Sequence, residues 1–250
     1  MNKKIRYKFI IVIPARYNST RLPGKPLLNI SGDPMIVKTF KRCLKVAKRS
    51  QIFVATENKK ILEVCKKNKI NCLMTSAKCL TGTDRIAEVA KKIKSKFYIN
   101  VQGDEPLCDT RDLKKLIKEA LKFPKTIING YAEITNKKQF FSGNIPKVVF
   151  RNDGRLLYQS RAAIPTTKKH EFKKAWRQIC IYSLPYEALK IFYKSKNKTI
   201  LESIEDCELN RFLELGLEVK MIKMSNNSIA VDTKEDLKKV RNIFKRKKNI

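Results

Sequence analysis

The chain has 250 residues, and 56 Lys and Arg against 23 Asp and Glu leave a formal net charge of +33. With 42% hydrophobic residues it can bury a sizeable core, which excludes wholesale disorder, and no apolar run approaches the ~18–20 residues of a membrane helix. The charge leaves nucleic acid, an anionic membrane surface and a phosphorylated substrate open as partners.

Phe9–Ile13 is a continuous apolar run, which predicts a strand buried on both faces. Lys3, Lys4 and Arg6 ahead of it loosely imitate a secretion signal, but the run is too short and Arg16 follows at once. The segment Ile13–Leu27 then offers Arg16, Arg21, Lys25, the small polar Asn18, Ser19 and Thr20, and Gly24. As charge alone it is a solvated basic loop. Its place after the first strand, where open α/β sheets bind ligands, favours a polyphosphate. It is not a Walker loop, because Ser19 stands where the first Gly belongs and Pro26 follows Lys25.

Met35–Val46 has helical spacing, Gln51–Ala55 reads as a strand, Lys59–Asn68 as a helix and Asn71–Met74 as a short strand. Thr81-Gly82 opens a helix over Thr83–Ile93, either as a plain N-cap or as small residues that let a base approach backbone amides. Phe97–Val101 is a further strand, and Asn100–Pro106 ends it. Asp104 stands where a carboxylate commonly holds a divalent cation among phosphates, although Gly103, Asp104 and Pro106 equally suit a turn. In the helix Asp109–Phe123, Lys114, Lys115, Lys118 and Lys122 lie opposite Leu113, Leu116 and Ile117, an ordinary solvated face. The alternation predicts an α/β fold with a parallel sheet covered by helices.

Beyond this point Thr126–Ile134, Lys147–Phe150 and Leu156–Ser160 read as strands, with a hairpin turn at Asn152–Gly154. Trp176–Ser183 is another strand, Pro185–Tyr193 and Glu205–Leu215 are helices with Gly216 as a stop, Glu218–Met224 is a late strand and Thr233–Phe244 a last helix. Thr233 with Asp236 has the form of a capping box, so Asp232 belongs to the cap or holds a metal. The Lys238–Lys248 stretch carries Leu237, Val240, Ile243 and Phe244 at helical spacing and reads as a packed helix with a basic tail. The expected organisation is one domain over 1–250, with 135–200 as an antiparallel extension that mediates dimerisation.

Seven cysteines without a Cys-x-x-Cys motif point to reduced thiols in a cytoplasm. The single histidine, His170, leaves no multi-histidine metal site, and no Gly-x-Ser-x-Gly or Gly-x-Gly-x-x-Gly signature is present. An enzyme built here works with carboxylates, Lys, Arg and a hard metal. No RNA-binding aromatic motif, zinc-finger spacing or basic zipper accompanies the charge, so nucleic acid is not indicated as a partner.

Together, Ile13–Leu27, Thr81–Arg85, Asn100–Pro106 and Ala230–Asp236 resemble the CMP-Kdo synthetases, the cytidylyltransferases that activate 3-deoxy-D-manno-octulosonate (Kdo). The likeness runs from Ile13 to about Val240 in the family's order, and Ser160-Arg161-Ala162, Ile181-Tyr182, Leu201-Glu202, Glu205 and Glu208 fall where the family has such residues. The resemblance implies a three-layer, Rossmann-like nucleotide-diphospho-sugar transferase fold, mostly parallel with an inserted antiparallel extension, and a homodimer. It implies transfer of CMP from CTP to the anomeric hydroxyl of Kdo, giving CMP-Kdo and pyrophosphate for lipopolysaccharide biosynthesis.

By the same resemblance Ala15, Arg16, Arg21, Lys25, Thr81, Gly82 and Arg85 would bind CTP. Asp104 and Asp232 would hold Mg²⁺ and, with Arg16 and Lys25, carry catalysis. Gln102, Arg161 and Glu208 would face the sugar acid, joined by Gln178, which stands where the family has a His. Further departures are Cys180, Leu184, Leu209, Cys79 and a motif reduced to Asn144 and Lys147. They leave a related acceptor, 8-amino-Kdo or a nonulosonic acid, beside Kdo.

Overall fold

The computed structural model describes residues 5–19 and 21–246, so Lys3, Lys4, Thr20, Lys247 and Lys248 lie outside the described residues. Strand β1 (Tyr7–Pro14) leads through the basic loop to a small hairpin of β2 (Asn29–Ile30) and β3 (Asp33–Pro34). Helices and strands then alternate: α1 (Met35–Cys43), β4 (Ile52–Thr56), α2 (Lys59–Lys67), β5 (Asn71–Met74), α3 (Gly82–Lys92), β6 (Ser95–Val101), α4 (Thr110–Lys122) and β7 (Ile127–Glu133). The middle section holds α5 (Lys137–Phe141), β8 (Lys147–Phe150), β9 (Leu156–Ser160) and β10 (Trp176–Pro185). The chain closes with α6 (Tyr186–Lys194), α7 (Ile200–Glu205), α8 (Glu208–Glu214), β11 (Val219–Lys223) and α9 (Lys234–Arg246).

The main sheet runs β11-β7-β10-β6-β1-β4-β5, with β8 and β9 attached to β10 as a side hairpin. Ile10–Ile13 are wholly buried because β1 is central, paired in parallel with β4 on one side and β6 on the other. Helices cover both faces. Ile11, Ile13, Phe40, Cys43, Leu113 and Leu116 pack on one face under α1, α2 and α4. Ile10, Val12, Ile86, Leu189, Phe192 and Phe212 pack on the other under α3, α6 and α8. Leu237 and Val240 of α9 join Leu22, Ile30 and Met35 in a third cluster, so the basic C-terminal stretch is a packed helix over the described residues. Asn58 caps α2, Thr81 and Asp84 box the start of α3, and Asp109 caps α4, each worth about 1 kcal/mol.

Two regions differ from the sequence reading. Strand β10 pairs antiparallel with both β6 and β7, in the middle of the sheet, so the range 135–200 contains a central strand and the attached hairpin is 147–160. The helix expected over Glu205–Leu215 is α8, Glu208–Glu214, and ahead of it stands an unexpected helix α7, which Asp206 ends with a left-handed φ of 48°. Helix α7 escapes periodicity because Ile200 and Ile204 face solvent, at 75% and 74% exposure. Among the described residues no helix is long and apolar enough to cross a membrane.

Candidate active site

The carboxyl ends of β1 and β6 meet at one end of the sheet, and antiparallel β10 brings its first half to the same place. Ala15 donates its N–H to Ala55 O at 2.9 Å, and Tyr17 donates its N–H to Glu57 Oε1 at 2.8 Å, which pins the start of the basic loop. Gly24 donates back to Tyr17 O at 3.2 Å with a φ of +65°, a conformation that favours glycine. Arg16, Tyr17, Asn18, Ser19, Pro23 and Gly24 line an open cavity of about 340 Å³. The Arg16 guanidinium is exposed and has no hydrogen bond or ion pair among the described residues.

Lys25 turns the other way. Its Nζ lies 2.5 Å from Asp104 Oδ2 and 3.2 Å from Asp232 Oδ1, and donates to Val231 O at 3.0 Å. Burial works against its charge, but Asp104 and then Asp232 outweigh it and hold Lys25 above its ordinary pKa. Arg21 Nη2 pairs with Asp232 Oδ1 at 3.2 Å. Asp104 reaches this point because Gly103 passes β1 closely: a Cβ there would stand 2.8 Å from Pro14 O. Asp232 is free to join it because the cap belongs to Thr233 and Asp236, with Thr233 N donating to Asp236 Oδ2 at 2.9 Å and Asp236 N to Thr233 Oγ1 at 3.2 Å. Gly103 and Asp104 do form the expected turn, closed by Glu105 N donating to Gln102 O at 3.1 Å, and the cap at the last helix leaves the Asp232 side chain out of it.

Among the described residues no group of three or more His, Cys, Asp or Glu could hold a metal. Mg²⁺ does not require one: it binds through one or two carboxylates completed by water and phosphate oxygens. Asp104 and Asp232 already share a cation in the Lys25 ammonium, so the donor set fits such an ion.

Beside them a cavity of about 230 Å³ is lined by Gln102, Arg161, Gln178, Tyr182 and Glu208, with Arg21, Asp104 and Asp232 at its edge. Arg161 donates Nε to Glu205 O at 2.6 Å, Nη1 to Gly143 O and Nη2 to Asp206 O, both at 3.0 Å, and Nη2 also lies 3.6 Å from Asp206 Oδ2, so the guanidinium is held from several sides where it borders the cavity. Gln178 accepts from Gln159 Nε2 at 2.5 Å and donates Nε2 to Tyr182 Oη at 2.8 Å. The pairing of β10 with β7 shifts register between Ile179 and Tyr182, and buried Asn129 fills the gap by donating Nδ2 to Ile179 O at 3.0 Å and Ile181 O at 2.9 Å.

Two expected contacts are spent inside the protein. Glu208 accepts from Gly82 N and Thr83 N, each at 3.1 Å, and from the Thr83 hydroxyl, so its carboxylate occupies the first turn of α3 as well as bordering the cavity. Burial, the larger influence, still pushes Glu208 up. Arg85 is buried, with Nη2 2.9 Å from Glu57 Oε2 and Nη1 donating to Thr75 Oγ1 at 2.5 Å. Its tie to the basic loop is indirect, through Glu57. Thr81 is the N-cap of α3, and its hydroxyl donates to Asp84 Oδ2 at 2.8 Å. The sequence reading passed over Glu105, which is buried beside Asp104 and pushed up to about 8 by burial first and Asp104 second, with Arg177 opposing.

A family described as cytidylyltransferase matches residues 10–229. The chain belongs to this family. It is 32% identical over 249 residues to the mitochondrial 3-deoxy-manno-octulosonate cytidylyltransferase of Arabidopsis thaliana, covering 98% of this chain and 86% of the relative. It is 37% identical over 243 residues to the 3-deoxy-manno-octulosonate cytidylyltransferase of Thermodesulfovibrio yellowstonii, covering 91% and 94%. A solved structure of CMP:2-keto-3-deoxy-manno-octonic acid synthetase complexed with CTP superposes with a TM-score of 0.88 at 32% identity, over 96% of this chain and 99% of that one.

In this cytidylyltransferase the departures from the family's pattern separate by position. Leu184 and Leu209 are fully buried in the core on the α3 face and do not line the cavity. Gln178, Cys180 and Asn144 do line it.

Proposed function

We propose that this protein transfers CMP from CTP to the anomeric hydroxyl of Kdo and releases pyrophosphate. The observation that carries the reading is the meeting of Lys25, Asp104 and Asp232 between an open basic loop and a polar cavity that Arg161 borders. A nucleoside triphosphate on the loop and a carboxylated sugar in the cavity would bring their reacting atoms to these three side chains. One bond forms, from the sugar oxygen to the α-phosphorus. One bond breaks, from the α-phosphorus to the bridging oxygen that leaves with pyrophosphate, and the hydroxyl proton passes to solvent.

The exposed Arg16 and the Arg21 guanidinium supply positive charge to the phosphates, with Lys25 behind them. Ala15, Thr81 and Gly82 would border the nucleoside, with Arg85 acting on the loop through Glu57, which accepts from Tyr17 N. The Arg161 guanidinium that borders the cavity suits the sugar carboxylate, and Gln102 and Gln178 offer amides to its hydroxyls. Asp104 and Asp232 would hold Mg²⁺, which when bound offsets phosphate charge and acidifies the attacking hydroxyl. The work left to the protein is alignment, which accounts for a site built without histidine.

A homodimer is part of the proposal: Phe141 and Leu157 of the middle section and Ile200 and Ile204 of α7 expose large apolar side chains. A monomeric mass by light scattering would overturn it. Seven free thiols fit a cytoplasmic setting.

The test is pyrophosphate release from CTP and Mg²⁺ with Kdo, 8-amino-Kdo and a nonulosonic acid, ranked by kcat/KM. Kdo is expected to rank first. Another acid ranking above it sinks the choice of sugar, and no turnover with any acid by the folded protein sinks the transferase reading.

A further inference from the structure

Helices α3 and α8 are joined at two points one turn apart. Glu208 accepts from the first amides of α3, and three residues on Arg211 reaches Asp84, which completes the Thr81 cap. Arg211 is fully buried. Its Nη1 donates to Asp84 Oδ1 at 2.9 Å, its Nη2 to Glu202 Oε1 at 2.8 Å, and its Nε to the other Glu202 oxygen. The guanidinium carbon lies 3.8 Å from the centre of the Phe192 ring.

Both carboxylates lead on to the cleft. Asp84 Oδ2 accepts from Thr81 N at 2.9 Å and from the Thr81 hydroxyl at 2.8 Å, which shapes the turn on the nucleotide side. Glu202 sits in the cap of α7, taking Thr199 N at 3.4 Å. One turn further, Glu205 accepts from Arg161 N at 2.8 Å, and its carbonyl takes Arg161 Nε at 2.6 Å. One guanidinium therefore lies between the turn beside the nucleotide and the helix that seats the sugar-side arginine.

A buried ion triad is weak as a source of stability, since well-packed apolar side chains often do as well. A planar fork does what they cannot: it fixes the direction of two carboxylates at once. We propose that Arg211 is a positioning residue for the transfer reaction, holding the Thr81–Asp84 turn and the Glu202–Arg161 connection in one register so that both substrates are presented in line. The inference rests on the transferase reading above.

Three variants separate the limbs. Asp84→Asn weakens the α3 limb and keeps a capping side chain, Glu202→Gln weakens the α7 limb, and Arg211→Lys replaces the fork by a point charge. CTP affinity, measured by titration calorimetry without sugar acid, is expected to fall about tenfold in Asp84→Asn and Arg211→Lys and to hold within twofold in Glu202→Gln. The KM for sugar acid is expected to rise in Glu202→Gln and Arg211→Lys. A residue that only holds the fold together would lower the folded fraction and Vmax and leave the constants of the folded molecules untouched. Unchanged CTP affinity in both Asp84→Asn and Arg211→Lys overturns the inference, whatever the turnover of the unaltered protein. Absence of turnover in the unaltered protein with intact CTP binding instead strikes the transferase reading, and the calorimetry still decides the role of Arg211.

Discussion

Two charge triads of the same kind, a cation held between two carboxylates, lie in this molecule with opposite access to water, the one in the cleft joined at its rim by Arg21. In the cleft, Lys25, Asp104 and Asp232 keep 14%, 27% and 36% of their side-chain surface exposed. In the core, Arg211, Asp84 and Glu202 keep 0%, 12% and 1%. The cleft triad uses an ammonium on a flexible stem, which a divalent ion or a phosphate can displace at modest cost. The core triad uses a rigid fork with every limb hydrogen-bonded, and no competitor can reach it. A similar meeting of charges would thus serve exchange in one place and register in the other. Solvent access and the shape of the cation decide which.

The largest effect expected from breaking this pairing of roles is in the cleft. Asp104→Ala should lower kcat/KM for pyrophosphate release by about 10³-fold, roughly 4 kcal/mol, because charge on the phosphates loses a preorganised partner. The same variant should melt within about 2 °C of the unaltered protein, since a surface-connected ion pair contributes little to stability. A fall in melting temperature that accounts for the lost activity would contradict the division. Arg211→Met tests the core triad from the other side. It leaves Asp84 and Glu202 buried without their cation and should cost about 3–5 kcal/mol in denaturant unfolding. A loss under 1 kcal/mol would show that the core triad is as dispensable as the cleft one.

The two triads differ most in how they enter a sequence reading. The parallel half of the fold is legible because its signals are local: the Ile10–Ile13 run and the helical spacing of Leu113, Leu116 and Ile117 act within a few residues. The motifs of Asp104 and Asp232 admit a turn or cap as well as a metal role, and what they do not show is that the two carboxylates meet at Lys25. Arg211 left no trace, because its partner Asp84 is 127 residues away and Arg211 looks like one more basic residue on a helix. Helix α7 is equally hidden, since Ile200 and Ile204 face solvent and leave it no apolar face to read. Long-range pairing of charges is the part of the site that local pattern does not carry.

A smaller effect is expected from pH. Burial opposes the Lys25 charge, but Asp104 and Asp232 raise its folded pKa above the ordinary value. The stability it contributes is therefore complete below its unfolded pKa of about 10.4 and is lost as pH rises through the higher folded value. Lys25→Met removes that contribution, so the gap in melting temperature between the two proteins should narrow from pH 9 towards pH 11. A gap that widens over this range would mean that the carboxylates do not hold the ammonium as described. The effect is worth about 1 kcal/mol, since the triad is open to water on one side.

The smallest change is expected at Gln178, the cavity position where a family histidine is replaced. Its amide accepts from Gln159 at 2.5 Å and donates to Tyr182 at 2.8 Å. A neutral imidazole also has one donor and one acceptor, so Gln178→His can keep one of these bonds and at best reshape the other. The expected change in KM for the sugar acid is less than tenfold, under about 1.4 kcal/mol, with the KM for CTP held within twofold. Leu184→Tyr is the control from the core: Leu184 is fully buried, so adding a phenol should lower stability by about 1–3 kcal/mol and leave both constants in place. Sugar specificity then belongs to the cavity wall and not to the core beneath it. If Leu184→Tyr shifts the sugar KM more than Gln178→His does, that assignment is reversed, and the packing behind β10 governs the choice of acceptor.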